Sequence, residues 1–137
     1  VVIRSVILAG SRTVHPAVEQ IDECIAKLDP AGLLWNPAEW EVIVCGMATG
    51  MDLAGKAWAE AKGKRVLEMP ITAEHIKRWG KHLGPKMRNR DMAEVADGAL
   101  LWWDAFSGGT ADMCIRMNAR DKPVRTFPWA RHRKAPR

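Results

Sequence analysis

Val1 to Ala9 is almost unbroken in apolar, largely β-branched side chains and stops at Gly10, the pattern of a buried strand that runs into a turn. Beyond it the period lengthens. Val18, Ile21, Ile25 and Leu28 recur at helical spacing, after Pro16, which suits a first helical turn, and before Asp29-Pro30-Ala31-Gly32, which ends the run. A Trp-bearing connection over 33–40 leads to a second strand over 41–45. The helix that follows over 52–62 carries Leu53, Ala57 and Ala61 on one face and closes at Gly63. Residues 64–69 predict a third strand stopped by Pro70, 73–81 a short helix, and Gly84-Pro85 the opening of another that runs to about Ala96. A fourth strand over 98–103, a helix over 110–120 entered through Ser107-Gly108-Gly109, and a fifth strand over 123–127 complete the series. Strands alternating with helices through short loops build a parallel sheet covered on both faces. With right-handed crossovers, the expected fold is α/β: a Rossmann-like doubly wound sheet of about five parallel strands.

Composition places this pattern among ordinary globular chains. The 137 residues are 47% hydrophobic and 27% charged, which excludes disordered and collagen-like classes and suits one domain, read as 1–128, followed by a basic tail over 129–137. A chain of this size buries about two thirds of its unfolded surface and needs no staple. Its apolar runs fall far short of the roughly 18 residues that span a bilayer, and it opens with no charged-then-apolar leader, so a cytoplasmic protein with no membrane partner is expected. Cys24, Cys45 and Cys114 are odd in number and lack CxxC spacing, as buried thiols in a reducing compartment would be. His15, His75, His82 and His132 show no HxxxH or HExxH spacing, so neither a metal nor a cofactor is expected. The net charge of +5 is concentrated at the end of the chain, where Arg131, Arg133, Lys134 and Arg137 occur without an acid. Such a tail is a solvated terminus or a weak, salt-dependent phosphate contact. The remainder is nearly neutral, which argues against nucleic acid as a partner of the body.

In open parallel sheets ligands bind beyond the carboxyl ends of the strands, where helix amino termini present their N–H groups. Three loops in that position are marked by glycine: Gly10-Ser11-Arg12, Gly46-Met47-Ala48-Thr49-Gly50-Met51-Asp52, and Ser107-Gly108-Gly109-Thr110-Ala111-Asp112. Glycine permits close backbone approach, Ser11, Thr49 and Thr110 offer hydroxyls, and Arg12 offers a fork for phosphate or carboxylate. Any one loop is equally explained by turn geometry, whereas three on one sheet edge suggest a ligand that carries an anion. Asp52 reads either as a pocket residue or as a partner of its own helix dipole. The GxGxxG and GxxxxGK[ST] fingerprints are absent, which argues against dinucleotide dehydrogenases and P-loop NTPases, and GxSxG is absent too.

Four runs taken together resemble a known family. They are Ile7-Leu8-Ala9-Gly10-Ser11-Arg12; Cys45 to Asp52, followed by Ala54 and Trp58-Ala59; Gly84-Pro85 with Arg88-Asn89-Arg90 and Met92; and Gly108-Gly109-Thr110-Ala111-Asp112-Met113. In this order, over roughly residues 3–127, they are similar to the YspA-type, cpYpsA-related branch of the SLOG superfamily, found in bacteria and phages. That superfamily comprises compact Rossmann-like domains that sense or process nucleotide-derived ligands, and it is similar to the LOG phosphoribohydrolases and the DNA-binding core of DprA. The resemblance implies that Arg88 and Asn89 face a pocket and that Gly108, Gly109 and Thr110 contact the ligand. It also implies a homo-oligomer, most simply a dimer, with Trp79, Trp102 or Trp103 at the contact. The chain departs from the LOG pattern PGGxGTxxE: Ser107 replaces the proline, the glycine loop is shorter, and Met113 stands where the glutamate would be. Asp112 lies about 100° around the helix from that position and would aim elsewhere. The expected function is a binding, sensing domain for a nucleotide or nucleotide-derived small molecule. The alternatives are an enzyme acting on an N-glycosidic bond, phosphoribohydrolase-like or deoxyribosyltransferase-like, and a DprA-like nucleic-acid binder.

Overall fold

A computed structural model of the chain describes residues 2–129; the tail arginines and Lys134 lie outside the described residues. Five strands, β1 (Ser5–Gly10), β2 (Val42–Cys45), β3 (Arg65–Glu68), β4 (Gly98–Trp103) and β5 (Val124–Pro128), alternate with four helices. The helices are α1 (Val18–Leu28), α2 (Met51–Ala61), α3 (Ala73–Val95) and α4 (Gly108–Ala119). All strand pairs are parallel and the order is β3-β2-β1-β4-β5. This is the Rossmann-like doubly wound arrangement expected from the sequence.

Side chains alternate across β1. Val6 and Leu8 face a core built with Ile21 and Ile25 of α1 and Met51, Trp58 and Ala59 of α2, while Ile7 and Ala9 face Met92 and Ala93 of α3 and Met113 and Met117 of α4. The first two helices therefore cover one face and the last two the other. The winding reverses between β1 and β4, whose carboxyl ends lie side by side with Gly10 opposite Trp102. That reversal opens a crevice, the topological switch point at which such sheets bind ligands.

Several local expectations are corrected. Pro16 lies outside α1, whose N-cap is Ala17. Leu53, Ala57 and Ala61 do share a face of α2, but it is the solvent face; Met51, Asp52, Gly55, Trp58 and Ala59 turn inward. The break in the α3 region falls at Gly80 (φ 83°), so helix resumes before Gly84 and Pro85 sits within it. Trp102 is completely enclosed by its own chain, its ring 4.6 Å from that of Phe127, which removes it as a shared interface residue. Trp129, read as the first tail residue, still donates its N–H to the Trp103 carbonyl. Among the described residues no helix is long and apolar enough to cross a membrane.

Candidate functional site

The first loop leaves β1 at Gly10, where a Cβ would lie 1.9 Å from the Trp102 carbonyl oxygen; only glycine lets β1 and β4 run this close at the crevice. Ser11 is buried. Its N–H donates to the Trp102 carbonyl (3.0 Å), and its hydroxyl accepts from the Asp104 N–H (3.0 Å). Arg12 follows with its side chain exposed. The second loop leans on the first: the Met51 N–H donates to the Ser11 carbonyl, and Gly50 (φ 80°) packs its backbone where a Cβ would meet Arg12 backbone atoms at 2.3–2.6 Å.

Behind these loops sits a buried charge pair. Arg88, 8% exposed, donates from Nη1 to the carbonyls of Gly46 (2.6 Å) and Met69 (3.3 Å) and from Nε to Asn89 Oδ1 (3.3 Å). Asp52 accepts from the Ala48 N–H (3.1 Å) and is also buried. A Cβ on Gly46 would lie 2.7 Å from Asp52 Oδ2 and 2.9 Å from Arg88 Nη1, so glycine is what admits both groups. Burial pushes the Asp52 carboxyl above the usual aspartate range, against the pull of the Ala48 N–H and the Arg88 charge. Burial likewise lowers the Arg88 guanidinium, with Asp52 opposing. An arginine does not give up its proton. The site therefore holds a buried cation whose Nη1 is met by two backbone carbonyls, with the Asp52 carboxylate nearby favouring its charge.

The third loop completes the wall. Ser107 caps α4, its hydroxyl accepting from the Thr110 N–H (3.3 Å) and the Thr110 hydroxyl (3.1 Å). Asn89 reaches from α3 to the start of α4, donating from Nδ2 to the Gly109 carbonyl (3.2 Å) and Asp112 Oδ2 (3.1 Å). Asp112 is further held by Arg116 at 2.9 Å.

These groups line a cavity of about 380 Å³ at the β1–β4 crevice. Of the residues nominated from sequence, Gly10, Ser11, Arg12, Asp52, Arg88, Asn89, Gly109 and Thr110 line it. Gly46, Thr49, Gly50, Gly108 and Asp112 do not: Gly46 and Gly50 support the wall from behind, Thr49 and Gly108 are exposed, and Asp112 is turned toward Asn89 and Arg116. Met113, by contrast, does line it. Thr13, Lys86, Asp104 and Phe106 also line it and were not nominated. Asp104 organises the third loop, accepting from Thr13 Oγ1 (2.6 Å), the Phe106 N–H (2.8 Å) and the Ser107 N–H (3.1 Å). An acid immediately after β4 at the switch point is the signal that marks it in the sequence. Among the described residues no cluster of His, Cys, Asp and Glu suited to a metal occurs.

The sequence matches no protein-family model and no curated protein. Among solved structures the chain is similar to DNA processing protein A (DprA) from Streptococcus pneumoniae, with a TM-score of 0.63 and 19% identity. The match covers 94% of this chain and 51% of that one, so this chain spans about half the length of its structural neighbour. At that identity the likeness shows the fold, a DprA-like Rossmann core.

Proposed function

We propose that this chain binds a nucleotide or nucleotide-derived small molecule in the β1–β4 crevice, as a sensing domain of the SLOG superfamily's YspA-type branch. The observation that carries this reading is the buried Arg88 guanidinium in the wall of the cavity, beside the amino terminus of α4 and the Arg12 side chain. Together they present two guanidinium groups and helix N–H donors to one ligand anion. The cavity's volume lies at the small end of the roughly 300–1,000 Å³ typical of small-molecule sites, which favours one mononucleotide over a dinucleotide. Binding without hydrolysis is supported by Met113 in the wall and by the engagement of Asp112 elsewhere. The test is calorimetric titration of the chain with the ribonucleoside 5′-monophosphates, beside native mass spectrometry of the purified protein for a retained small molecule. Saturable binding with no release of free base supports the reading. Robust base release would replace it with the N-glycosidic enzyme, for which Asp52 is the carboxylate to substitute first.

A second reading, nucleic-acid binding, is favoured by α3. Lys77, Arg78, Lys81, Lys86, Arg88 and Arg90 lie between His75 and Arg90, a stretch with no acid. Lys77, Arg78, Lys81 and Lys86 are exposed, and Trp79 is flanked by the Arg78 and Arg90 guanidinium groups at 5.1 and 5.7 Å. The nearly neutral body thus contains a basic helix beside the cavity, which Lys86 lines. Retention of a single-stranded oligonucleotide that falls steeply with salt and is lost in Lys77→Glu/Lys81→Glu/Lys86→Glu would support this reading. Retention that instead disappears on deleting residues 131–137 would assign the activity to the tail.

A further inference from the structure

Two buried side chains of opposite charge flank Gly46 in the wall of the cavity, Asp52 at 5% exposure and Arg88 at 8%. No hydrogen bond joins them. Arg88 donates to the carbonyls of Gly46 and Met69 from Nη1 and to Asn89 from Nε, which leaves Nη2 without an acceptor among the described residues. Asp52 accepts from the Ala48 N–H (3.1 Å), and the Gly10 N–H also favours its charge. A carboxylate offers about four acceptor sites. Two N–H groups therefore leave room for a further donor, and the open side of Asp52 is the cavity it lines. The other acid in the lining differs, because Asp104 is occupied by its own loop through the Thr13 hydroxyl and the N–H groups of Phe106 and Ser107. Arg12 and Lys86 also line the cavity, and both can only donate.

We infer that Asp52 holds a sugar hydroxyl of the bound ligand, so that the pocket distinguishes a full ribonucleotide from its deoxy analogues. The inference rests on the nucleotide reading above and gives it a specificity determinant. A phosphate is repelled by this carboxylate and goes to the guanidinium groups, so whatever sits against Asp52 must bring a proton to donate. In a nucleoside monophosphate the sugar is the part that adjoins the phosphate. Its hydroxyls are thus the donors that come within reach of an acid lying beside a phosphate-holding arginine. A hydroxyl suits the place in a second way: it donates to Asp52 while accepting from Arg88, and so bridges two charges that no hydrogen bond joins directly. Nη2 carries two hydrogens, enough for a phosphate oxygen and for this hydroxyl. Burial has pushed the Asp52 carboxyl above the ordinary aspartate range, and a ligand donor restores part of the hydration that burial removes.

The experiment titrates the full chain with AMP, 2′-deoxy-AMP and 3′-deoxy-AMP, using the native protein, Asp52→Asn and Asp52→Ala. It reads the ratio of affinities within each protein, which a general loosening of the site leaves unchanged. The expected result is that the native protein binds at least one deoxy analogue about tenfold more weakly than AMP. That ratio should shrink in Asp52→Asn, whose amide is a neutral acceptor, and fall to about one in Asp52→Ala. Equal affinity of the native protein for all three compounds would overturn the inference while leaving the nucleotide reading intact. A native ratio that persists unchanged in Asp52→Ala would overturn it too, because the hydroxyl is then held elsewhere. Should Asp52→Ala fail to fold, Asp52→Asn decides, and an undiminished ratio there overturns the inference. A native protein that binds none of the three compounds would instead remove the nucleotide reading itself, and this inference with it.

Discussion

Arg88 shows how much a single residue's surroundings decide. The same side chain on an open helix face would be one more solvated cation; here it is spent on the carbonyls of Gly46 and Met69 and faces a cavity. In the sequence its neighbours Asn89 and Arg90 look equally polar, and residue type alone does not separate the inward pair from the outward arginine. The family resemblance drew that distinction. Arg12 is legible without it, being the first cation after a strand and glycine. Because Arg12 is exposed and packs against little, Arg12→Ala should fold normally while weakening AMP binding by about tenfold, the lower end for a charge-assisted contact. Unchanged affinity in a folded variant would remove Arg12 from the site. Cys45 illustrates the opposite case. Its thiol is fully buried, donates to the Asp52 carbonyl at 3.3 Å, and is pushed up to about 11 by burial. At pH 8 iodoacetamide should modify the partly exposed Cys24 and Cys114 and spare Cys45, as peptide mass mapping would show; rapid labelling of Cys45 in the folded protein would contradict this.

Elements are legible where their apolar period is strong and obscure where a small residue carries the packing. β4 is legible residue for residue because its six residues are nearly all apolar and end at a charged position. The buried face of α2 is not legible in the apolar period, because its centre is a glycine. A Cβ on Gly55 would lie 2.8 Å from Leu8 Cβ and 2.9 Å from the Leu8 carbonyl oxygen, so α2 meets β1 backbone to backbone. Gly55→Ala should therefore destabilise by about 1–3 kcal/mol through overpacking, despite a gain of about 1 kcal/mol in helix propensity, measurable by urea unfolding. A stabilised variant would mean that α2 can back away from the sheet. The β4–α4 loop responds to pH. The Thr13 hydroxyl, then the Phe106 N–H, hold the Asp104 carboxyl well below its ordinary value of 3.8. The native carboxyl thus holds its proton less tightly than the unfolded chain does, so its contribution is complete above that value and is lost as pH falls below it. Hydrogen-exchange protection at Phe106 and Ser107, corrected for intrinsic rates, should be level down to about pH 4 and decline below it. In Asp104→Asn the decline at these two amides should be smaller, while that set by the other lowered carboxylates remains.

For the whole molecule, the decisive feature is where the winding changes hand. The strand order was not stated from the sequence, because alternation fixes parallel strands without fixing which are neighbours; pairing of β1 with both β2 and β4 is a tertiary outcome. Once it is set, three glycine-marked loops far apart along the chain meet at one crevice, and α1 and α2 are left on the face opposite α3 and α4. The distribution of charge is likewise decided at this scale. The nearly neutral part of the chain that precedes the basic tail contains a segment of α3 rich in cations, which only the fold places beside the cavity. That the β1–β4 crevice is the ligand site is tested most directly by a two-dimensional NMR titration of the isotopically labelled chain with AMP. Saturable shifts centred on the amides of Gly10, Ser11, Gly109 and Thr110 are expected, with those of α1 unmoved. Saturable shifts centred elsewhere, or none at millimolar AMP, would contradict it.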